Sequence, residues 1–537
     1  MTQICLGDEA VAISAIDAGI DAAFGYPGTP STEIMEYLIR EQGEGSFCAQ
    51  WCTNEKTALE AALGVSFAGK RSIVTMKHVG LNVAADPFLN AALVDIKGGL
   101  VIAVADDPGM HSSQSEQDSR FYADFALIPA FEPRNAQQAY DMTREAFEIS
   151  EKFHVIVILR LVTRLSHARS TIETLEPRPK NALSKVKGND WLLLPAISRR
   201  LYDTLLAKQH DLLDWSENND ANLLDLDECN DDFAVITGGL GGNYYEENLS
   251  DYIAANKAKP AHLHIGCYPI PREKIRRIYE NASRILIIEE GQPLLESKIR
   301  GILPSFAKID GKLNGFLPKS GELNADIVRS ALNLPPLPVS DVELPNIPPR
   351  PPQLCQGCPH HDSYTALKMA LSSYKQDEIS VHGDIGCYAL GAAPPLSAVE
   401  SIICMGASIG MARGAAIAGL KTVSVIGDST FLHSGITALI DCVASHSNST
   451  IVILDNSTVA MTGCQDTILE AGRIEKIAAA LGVEAEHLAV LETKPTLVEE
   501  NAERLKKEIA YSGVSVVIFK RECLEAARRR RKSKGQL

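Results

Sequence analysis

The sequence predicts a multidomain α/β protein built on parallel β-sheets. Its 537 residues correspond to roughly three or four domains of ordinary size, each able to bury its own core. Short apolar, β-rich runs alternate with helical patterns along most of the chain, which is typical of parallel strands covered on both faces. Hydrophobic residues make up 45% of the chain and charged residues 22%, as in an average globular protein. These observations exclude a single small binding module and a disordered or membrane-spanning chain.

The strand-like runs fall into three groups, and each group predicts one α/β domain. The domains are expected at 1–175, with strands at 72–75, 99–104 and 155–159; at 176–334, with strands at 233–236, 261–265 and 284–288; and at 353–527, with strands at 423–426, 449–454 and 514–519. Residues 181–230 are polar and weakly patterned. Eight prolines between 335 and 352 predict an extended linker, and the basic residues of 528–537 predict a frayed, solvated tail.

Charge and cysteine usage narrow the class of protein further. The chain carries 52 basic and 68 acidic residues, hence a net charge of −16, which argues against nucleic acid as a partner because a phosphate backbone is repelled. It opens without a basic region ahead of an apolar stretch and has no charge-free apolar run of about 18 residues, so we expect a cytoplasmic protein that does not bind a membrane. Twelve cysteines in such a chain indicate reduced core thiols, metal ligands or catalytic groups rather than disulfides.

Two polar segments follow consecutive strands of the third predicted domain. Gly427-Asp428-Ser429 follows the first of these strands and Asp455-Asn456 the second. Because the carboxyl ends of parallel strands face one crevice, both segments can reach the same ligand. An aspartate and an asparagine oxygen, completed by a backbone carbonyl and diphosphate oxygens, suit Mg²⁺. On these residues alone, two ordinary strand-end turns remain the alternative.

Four cysteines are candidate metal ligands in the same domain: Cys355, Cys358, Cys387 and Cys523. A zinc ribbon would need a second Cys-x-x-Cys pair, which the chain lacks. The Cys355/Cys358 pair alone is equally compatible with an iron–sulfur cluster, zinc or ordinary thiols, whereas all four together favour a Cys₄-ligated iron–sulfur cluster. Cys404 and Cys442 lie in apolar helical patterns and are expected in the core.

Two further motifs mimic known sites. Residues 406–410 match the Gly-x-Ser-x-Gly nucleophile elbow, but they continue into a small-residue helical pattern rather than a strained strand-to-helix turn, which argues against a serine hydrolase. Residues 238–242 are glycine-rich and follow a strand, but they lack the full dinucleotide-binding spacing and an acidic residue near Ile265. We therefore expect neither a serine hydrolase site nor a dinucleotide-binding site at these segments.

Several segments together resemble the α subunit of indolepyruvate:ferredoxin oxidoreductases, a family that uses thiamine diphosphate (TPP). The resemblance spans about residues 1–527 and rests on 25–33, which contains Tyr-Pro-Gly-Thr-Pro, on 75–82, on 111–120, and on the Cys355 and Gly427 segments. Asp428 is followed after 28 positions by Asn456 and then by Met-Thr-Gly-Cys-Gln at 461–465, as in the TPP motif of this family. The chain departs from that motif in having Ser429 where glycine is usual, and this change removes no metal-ligating side chain.

The resemblance implies a TPP pyrimidine-binding domain, a transketolase C-terminal-like domain between the two TPP-binding domains, and a diphosphate-binding domain. Glu55 would control the tautomer of the cofactor's pyrimidine ring, a task that suits a carboxyl group removed from water, although a lone helix glutamate is more often a surface residue. The other implied roles are cofactor binding by Gly406, Gly427 and Ser429; Mg²⁺ binding by Asp428, Asn456 and the Thr458 carbonyl; contact with diphosphate or substrate by His433; substrate binding by Thr29, Lys77 and His78; and ligation of one [4Fe–4S] cluster by Cys355, Cys358, Cys387 and Cys523.

The implied reaction is oxidative decarboxylation of an aryl 2-oxo acid with CoA, with electrons leaving through the cluster. The implied partners are a smaller β subunit, a second copy of this chain in an (αβ)₂ complex, and ferredoxin or another electron-carrying subunit. One difference from the family is large: its α subunits usually continue into a ferredoxin-like domain rich in cysteine, whereas no cysteine follows Cys523 here. The alternatives are a non-oxidative TPP-dependent decarboxylase and a non-catalytic subunit of the same fold.

Overall fold

The computed structural model describes residues 2–43, 45–338, 348, 351–468 and 472–533. The chain divides into two compact units, Met1–Val342 and Glu343–Leu537. The boundary between the domains expected at 1–175 and 176–334 lies inside the first unit and stays a prediction. Most of the predicted linker at 335–352 lies outside the described residues, as do residues 534–537 of the predicted tail.

Parallel sheets with helices between their strands make up the first unit. Its strands are β1 (Thr2–Leu6), β2 (Ala22–Gly25), β3 (Cys48–Trp51), β4 (Ser72–Lys77), β5 (Leu100–Asp106), β6 (Ala130–Phe131), β7 (Val157–Val162), β8 (Arg169–Glu173), β9 (Leu224–Asp225), β10 (Cys229–Gly238), β11 (Lys259–Ile265), β12 (Cys267–Tyr268), β13 (Arg284–Ile288) and β14 (Ile309–Asp310). Its helices are α1 (Gly7–Asp17), α2 (Thr32–Glu41), α3 (Glu55–Phe67), α4 (His78–Val83), α5 (Ala85–Ala91), α6 (Arg120–Ala126), α7 (Ala136–Phe153), α8 (Thr163–His167), α9 (Pro195–Asn218), α10 (Gly241–Asn256), α11 (Arg272–Glu280), α12 (Leu294–Ile302) and α13 (Ala325–Ala331).

The described strands of this unit form two larger sheets and one β1–β8 ribbon. The first sheet has the order β12-β6-β7-β5-β4-β2-β3 and is parallel except for β12 at its edge; the second has the order β14-β13-β10-β11-β9 and is parallel except for β9. All seven residues of β5 are buried, as expected for a central strand with helices on both faces.

The second unit contains one six-stranded parallel sheet among its described residues, in the order β16-β15-β17-β18-β22-β21. Its strands are β15 (Ile379–Gly383), β16 (Ser401–Ile402), β17 (Lys421–Gly427), β18 (Ser449–Asp455), β19 (Thr458–Val459), β20 (Gln465–Asp466), β21 (Leu488–Glu492) and β22 (Val514–Lys520). Its helices are α14 (Pro359–Leu371), α15 (Ala407–Ile417), α16 (Asp428–Thr430), α17 (Ile436–Ala444), α18 (Arg473–Ala480), α19 (Val498–Ala510) and α20 (Leu524–Ser533). The predicted α/β class and parallel sheets are confirmed. In the parts of the chain that the structure covers, no helix is both long and apolar enough to cross a bilayer.

Two local expectations are wrong, and one helix was not predicted. The segment 181–230, for which no element was predicted, contains the 24-residue helix α9, whose buried leucines lie on one face but are too few to give a strong periodic signal. The basic tail is helical through α20, where Arg529 donates a hydrogen bond to the Gly463 carbonyl. Cys404 lies exposed in the turn before α15 rather than in a buried helix, whereas Cys442 is buried in α17 as expected.

A buried charge network stabilises the first unit. Arg160 on β7 is 1% exposed, its Nε donates to Asp106 Oδ2 at 2.6 Å, and its Nη1 donates to Glu132. Asp118 Oδ1 lies 3.5 Å from the same Nε. Asp118 and Glu132 also pair with the buried Arg120. Removing the Arg160 guanidinium therefore leaves the buried Asp106 carboxylate without its arginine partner.

We expect Arg160→Ala to lower the free energy of unfolding of the first unit by about 3–5 kcal/mol. The matched control is Arg164→Ala, because Arg164 is 42% exposed in its pair with Glu322 and such surface pairs contribute less than about 1 kcal/mol. Denaturant unfolding followed by tryptophan fluorescence reports this unit, since Trp51, Trp191 and Trp215 are the chain's three tryptophans. Equal shifts for the two variants would contradict the prediction.

Candidate active site

The segments after β2, β4 and β5 bring together several polar side chains in the first unit. These three strands are parallel neighbours, so their carboxyl ends open at one edge of the sheet. Lys77 Nζ donates to the Ser112 carbonyl at 3.0 Å, and Ser112 Oγ donates to the Thr29 carbonyl at 3.3 Å. The structure therefore places Thr29 and Lys77, both predicted to bind substrate, within hydrogen-bonding contact of the same residue, Ser112.

His78, the third predicted substrate residue, opens α4 at the same edge. Its side chain is buried, and Nε2 forms a hydrogen bond with the Ser115 carbonyl at 3.0 Å. Nδ1 has no partner among the described residues. The imidazole is thus held through one nitrogen only.

Glu55 is buried rather than solvated, which overturns the usual expectation for a lone helix glutamate. It begins α3, directly after Asn54, whose side chain accepts a hydrogen bond from the Thr57 amide at 2.9 Å. Glu55 is 5% exposed, and a Cβ atom at Gly80 would collide with Glu55 Oε1. Because Gly80 has no side chain, the Glu55 carboxyl can occupy this buried position.

Lys77 is electrostatically linked to two carboxylates. Burial lowers the pKa of its ammonium group, and the negative charges of Asp107 and Glu55 oppose that shift. A partly desolvated ammonium group at this position is a candidate hydrogen-bond donor to an anionic substrate group.

In the second unit, the predicted Mg²⁺ ligands lie around one short turn. Asp428 follows β17, and its Oδ2 accepts a hydrogen bond from the Ser457 amide at 2.8 Å. Asn456 and Thr458 flank Ser457, and Asn456 Oδ1 accepts from the Thr458 amide at 3.2 Å. Adjacent parallel strands β17 and β18 thus bring the three predicted ligand residues together, as their strand-end positions indicate.

The electrostatics of this turn fit a divalent cation. Burial and the neighbouring Asp455 carboxylate raise the pKa of Asp428 to about 8. Ionising two carboxyl groups this close in the protein interior costs a large free energy unless a positive charge binds beside them. Mg²⁺ bound through a carboxylate, other oxygens and phosphate would supply that charge.

The other predicted cofactor residues lie close to this turn. Ser429 donates its backbone amide to Asp428 Oδ1 at 2.8 Å. His433 is buried and forms a hydrogen bond with Ser434, whose Cβ lies against Gly406. The Gly406 amide itself donates to Asp384 Oδ1 at 2.7 Å, so in this structure a carboxylate of the chain occupies that donor.

The four predicted cluster cysteines come from three loops at the same end of the six-stranded sheet of the second unit. Cys355 and Cys358 form the turn before α14, Cys387 follows β15, and Cys523 precedes α20. Burial raises the pKa of the Cys387 thiol to about 12, and the thiols of Cys358, Cys523 and Cys355 contribute to this shift. Their donor chemistry fits a Cys₄ cluster, although the described residues contain no group of three or more histidine, cysteine, aspartate or glutamate side chains that could hold a metal ion.

Each cysteine loop contacts the predicted diphosphate turn, which consists of the segments 427–429 and 455–458. Burial lowers the pKa of His360 to about 4, so its neutral ring accepts a hydrogen bond at Nε2 from Asn456 Nδ2, 3.3 Å away. The Cys523 amide donates to the Asn456 carbonyl at 3.1 Å. Tyr388, next to Cys387, packs its ring so close to Gly427 that a Cβ there would lie 2.5 Å from it.

Sequence reasoning missed His360, Asp384 and Tyr388, which position the predicted ligands. His360 follows the Cys-x-x-Cys pair directly, and Asp384 stands in a second Gly-Asp pair after a strand, Gly383-Asp384. That repetition of the Gly427-Asp428 pattern was an available signal for Asp384. Tyr388 shows no local pattern, because its role depends on a contact with a distant loop.

Comparison with known proteins identifies two conserved family domains in the chain. The profile of the family "pyruvate flavodoxin/ferredoxin oxidoreductase, thiamine diP-bdg" matches residues 13–191, and that of "thiamine pyrophosphate enzyme, C-terminal TPP binding domain" matches residues 384–519. The solved 2-oxoglutarate:ferredoxin oxidoreductase from Magnetococcus marinus aligns with a TM-score of 0.51 at 17% identity, over 62% of this chain and 65% of that chain. At this identity the match supports the fold alone.

Three curated relatives cover nearly the whole chain, and each is an indolepyruvate oxidoreductase subunit IorA. The Archaeoglobus fulgidus protein is 38% identical over 99% of this chain and 88% of its own length. The Methanothermobacter thermautotrophicus protein is 36% identical over 97% of this chain and 86% of its own length. The Pyrococcus abyssi protein is 35% identical over 97% of this chain and 85% of its own length. The chain therefore belongs to the IorA family, as the α subunit of a TPP-dependent 2-oxoacid oxidoreductase.

Proposed function

We propose that the chain oxidatively decarboxylates an aryl 2-oxo acid of the indolepyruvate or phenylpyruvate type. CoA takes up the acyl group, and the electrons leave through one [4Fe–4S] cluster to ferredoxin or another acceptor. The names of the relatives support the aryl substrate. The observation that carries the electron route is the attachment of the three cysteine loops to the diphosphate turn through His360, Tyr388 and Cys523.

Bound TPP would supply the carbanion chemistry that releases CO₂, and the protein would supply binding, orientation and an exit for electrons. Glu55 would contact the pyrimidine ring from a buried position and exchange a proton with it. Thr29, Lys77 and His78 bind and orient the substrate carboxylate. Substrate-binding side chains accelerate a reaction when they bind its transition state more tightly than the substrate. A positioned carboxyl group accelerates it by transferring a proton.

The second unit would hold the charged end of the cofactor. Asp428, Asn456 and the Thr458 carbonyl bind Mg²⁺, while Gly427 and Ser429 let the backbone approach the diphosphate. His433 and Gly406 line the same region. Cys355, Cys358, Cys387 and Cys523 hold the cluster.

We place the chain in a cytoplasmic (αβ)₂ complex with a smaller β subunit. The family membership supports a partner subunit, because its relatives are named as subunits. All 12 cysteines are free thiols, which fits a reducing compartment. We assign the role of next electron carrier to another subunit or to ferredoxin itself.

The test is the iron and acid-labile sulfide content of the anaerobically purified complex. One Cys₄ cluster predicts about four of each per chain, and reduction of a dye should then require both an arylpyruvate and CoA. A complex that binds TPP and Mg²⁺ without iron, and releases an aldehyde without an acceptor, would identify a non-oxidative decarboxylase. If Glu55→Ala left the complex fully active, this chain would be a non-catalytic subunit.

A further inference from the structure

The segment that follows β5 contacts two of the predicted substrate residues. The carbonyl of Ser112 accepts a hydrogen bond from Lys77 Nζ at 3.0 Å, and its Oγ lies 3.3 Å from the Thr29 carbonyl. Residues 110–112 are exposed, and an exposed segment gains little stability from packing. A group that holds Ser112 in place therefore also restrains Lys77 and Thr29.

Asp107, the first residue after β5, is such a group. Its side chain is buried, and its Oδ2 accepts hydrogen bonds from the Ser112 amide at 2.8 Å and from Ser113 Oγ at 2.7 Å. Its Oδ1 accepts a hydrogen bond from Thr163 Oγ1 at 2.8 Å. Because Thr163 begins α8, the carboxylate joins the exposed segment to a helix of the same unit.

The charge of Asp107 strengthens these contacts. Burial opposes ionisation of the carboxyl, but the hydrogen bonds from Ser112, Ser113 and Thr163 and the positive charge of Lys77 together lower its pKa. Hydrogen bonds to an ionised carboxylate are about twice as strong as those between neutral groups. The negative charge in turn favours the protonated form of Lys77.

We propose that Asp107 is a positioning residue for substrate binding: through Ser112, its carboxylate holds Lys77 and Thr29 where they receive the carboxylate of the 2-oxo acid. Asp107 acts through these residues rather than on the substrate itself, since both of its oxygens already accept hydrogen bonds within the chain. The inference rests on the proposed function, in which Lys77 and Thr29 bind the substrate.

The experiment measures steady-state kinetics of the complex with an arylpyruvate, CoA and a dye as electron acceptor. We expect Asp107→Ala to raise KM for the arylpyruvate about tenfold or more, as the loss of hydrogen bonds to a charged group predicts. Because the lost binding is shared by the bound substrate and the transition state, kcat should change less than about threefold. A purely structural role would instead lower the apparent kcat, through unfolded chain, and leave KM unchanged.

The matched control is Asp124→Ala in the same unit. Asp124 is 43% exposed in its pair with Lys298, and such pairs contribute little to stability. Both kinetic constants should therefore stay as they are in the unaltered chain.

A conservative variant, Asp107→Asn, separates the hydrogen bonds from the charge. Asparagine keeps the volume of the side chain and an oxygen that can accept from the Ser112 amide, but the contacts lose their charge assistance. Its KM should lie between those of the unaltered chain and Asp107→Ala, and this variant also decides the question if Asp107→Ala does not fold. If Asp107 acts through Lys77, adding Asp107→Asn to Lys77→Met should raise KM less than Asp107→Asn does alone.

The outcomes separate this inference from the proposed function. An unchanged KM in Asp107→Asn while Lys77→Met raises it, or full additivity of the two changes, would overturn the positioning role alone. If Asp107→Asn were as impaired as Asp107→Ala, the acid would act by charge only and the route through Ser112 would fail. If Lys77→Met itself left KM unchanged, the proposed substrate role of Lys77 would fail, and the role of Asp107 with it.

Discussion

Replacing Glu55 with glutamine is expected to lower kcat for arylpyruvate-dependent acceptor reduction by about 10²- to 10⁴-fold, the usual contribution of a positioned proton-transfer group. Glutamine keeps the size of the side chain that fills the space beside Gly80 but cannot hold the exchangeable proton. The reason for the loss is thus chemical rather than structural. TPP binding should persist, because the variant leaves Asp428 and the diphosphate turn of the second unit intact.

The matched control is Glu60→Gln on the same helix, α3. Glu60 is 45% exposed and pairs with Lys56 one turn earlier, so its loss should change kcat and stability little. Steady-state kinetics of the complex, with TPP binding measured separately by calorimetry, distinguish the two variants. If Glu55→Gln retained full activity, proton placement by this carboxyl would be refuted.

Asp428→Asn is expected to abolish the joint stabilisation of the chain by Mg²⁺ and TPP. A ligand present at 100 times its Kd raises the free energy of unfolding of a folded protein by about 2.7 kcal/mol. The rise in Tm that this stabilisation produces should be lost in Asp428→Asn. Asp441→Asn, which changes an exposed aspartate of α17, is the control and should keep it. The measurement is the Tm of each chain with and without both ligands. An unchanged ligand-induced rise in Tm for the Asp428→Asn chain would exclude Asp428 as a metal ligand.

The same variant should remove a pH dependence of the cation-free chain. The pKa of Asp428 is raised from 3.8 to about 8 by burial and Asp455. Between these values the unfolded chain has released this proton and the folded chain retains it, so the contribution of Asp428 to the free energy of unfolding falls as pH rises and is constant above about 8. Because Mg²⁺ must displace the proton, its affinity should rise over the same interval.

The sequence predicted much of the fold because parallel strands leave a local signal. Buried runs such as 449–454 and 514–519 appear as β18 and β22, since a strand covered on both faces must be apolar throughout. Helix α9 was not predicted, because only Leu201, Leu205, Leu212 and Ser216 of its 24 residues are buried and so narrow a buried face gives a weak periodic signal.

The candidate site was predictable where ligands follow strands and not where they depend on distant partners. The positions of Asp428 and Asn456 after adjacent strands already indicated a shared crevice. His360 lies 96 residues from the Asn456 side chain it contacts, and no spacing rule connects the two. The same holds for Arg160 and Glu132, which are 28 residues apart and meet in a buried network.

By itself, the sequence determined the α/β class, the family, and the residue types at the strand ends, because strand periodicity and ligand chemistry are properties of short segments. Only the tertiary structure decided that Glu55 is buried against Gly80 and that His360 orients Asn456. The physical reason is that burial and contact depend on which strands become neighbours. That order is set by packing of the whole sheet, which no local pattern encodes.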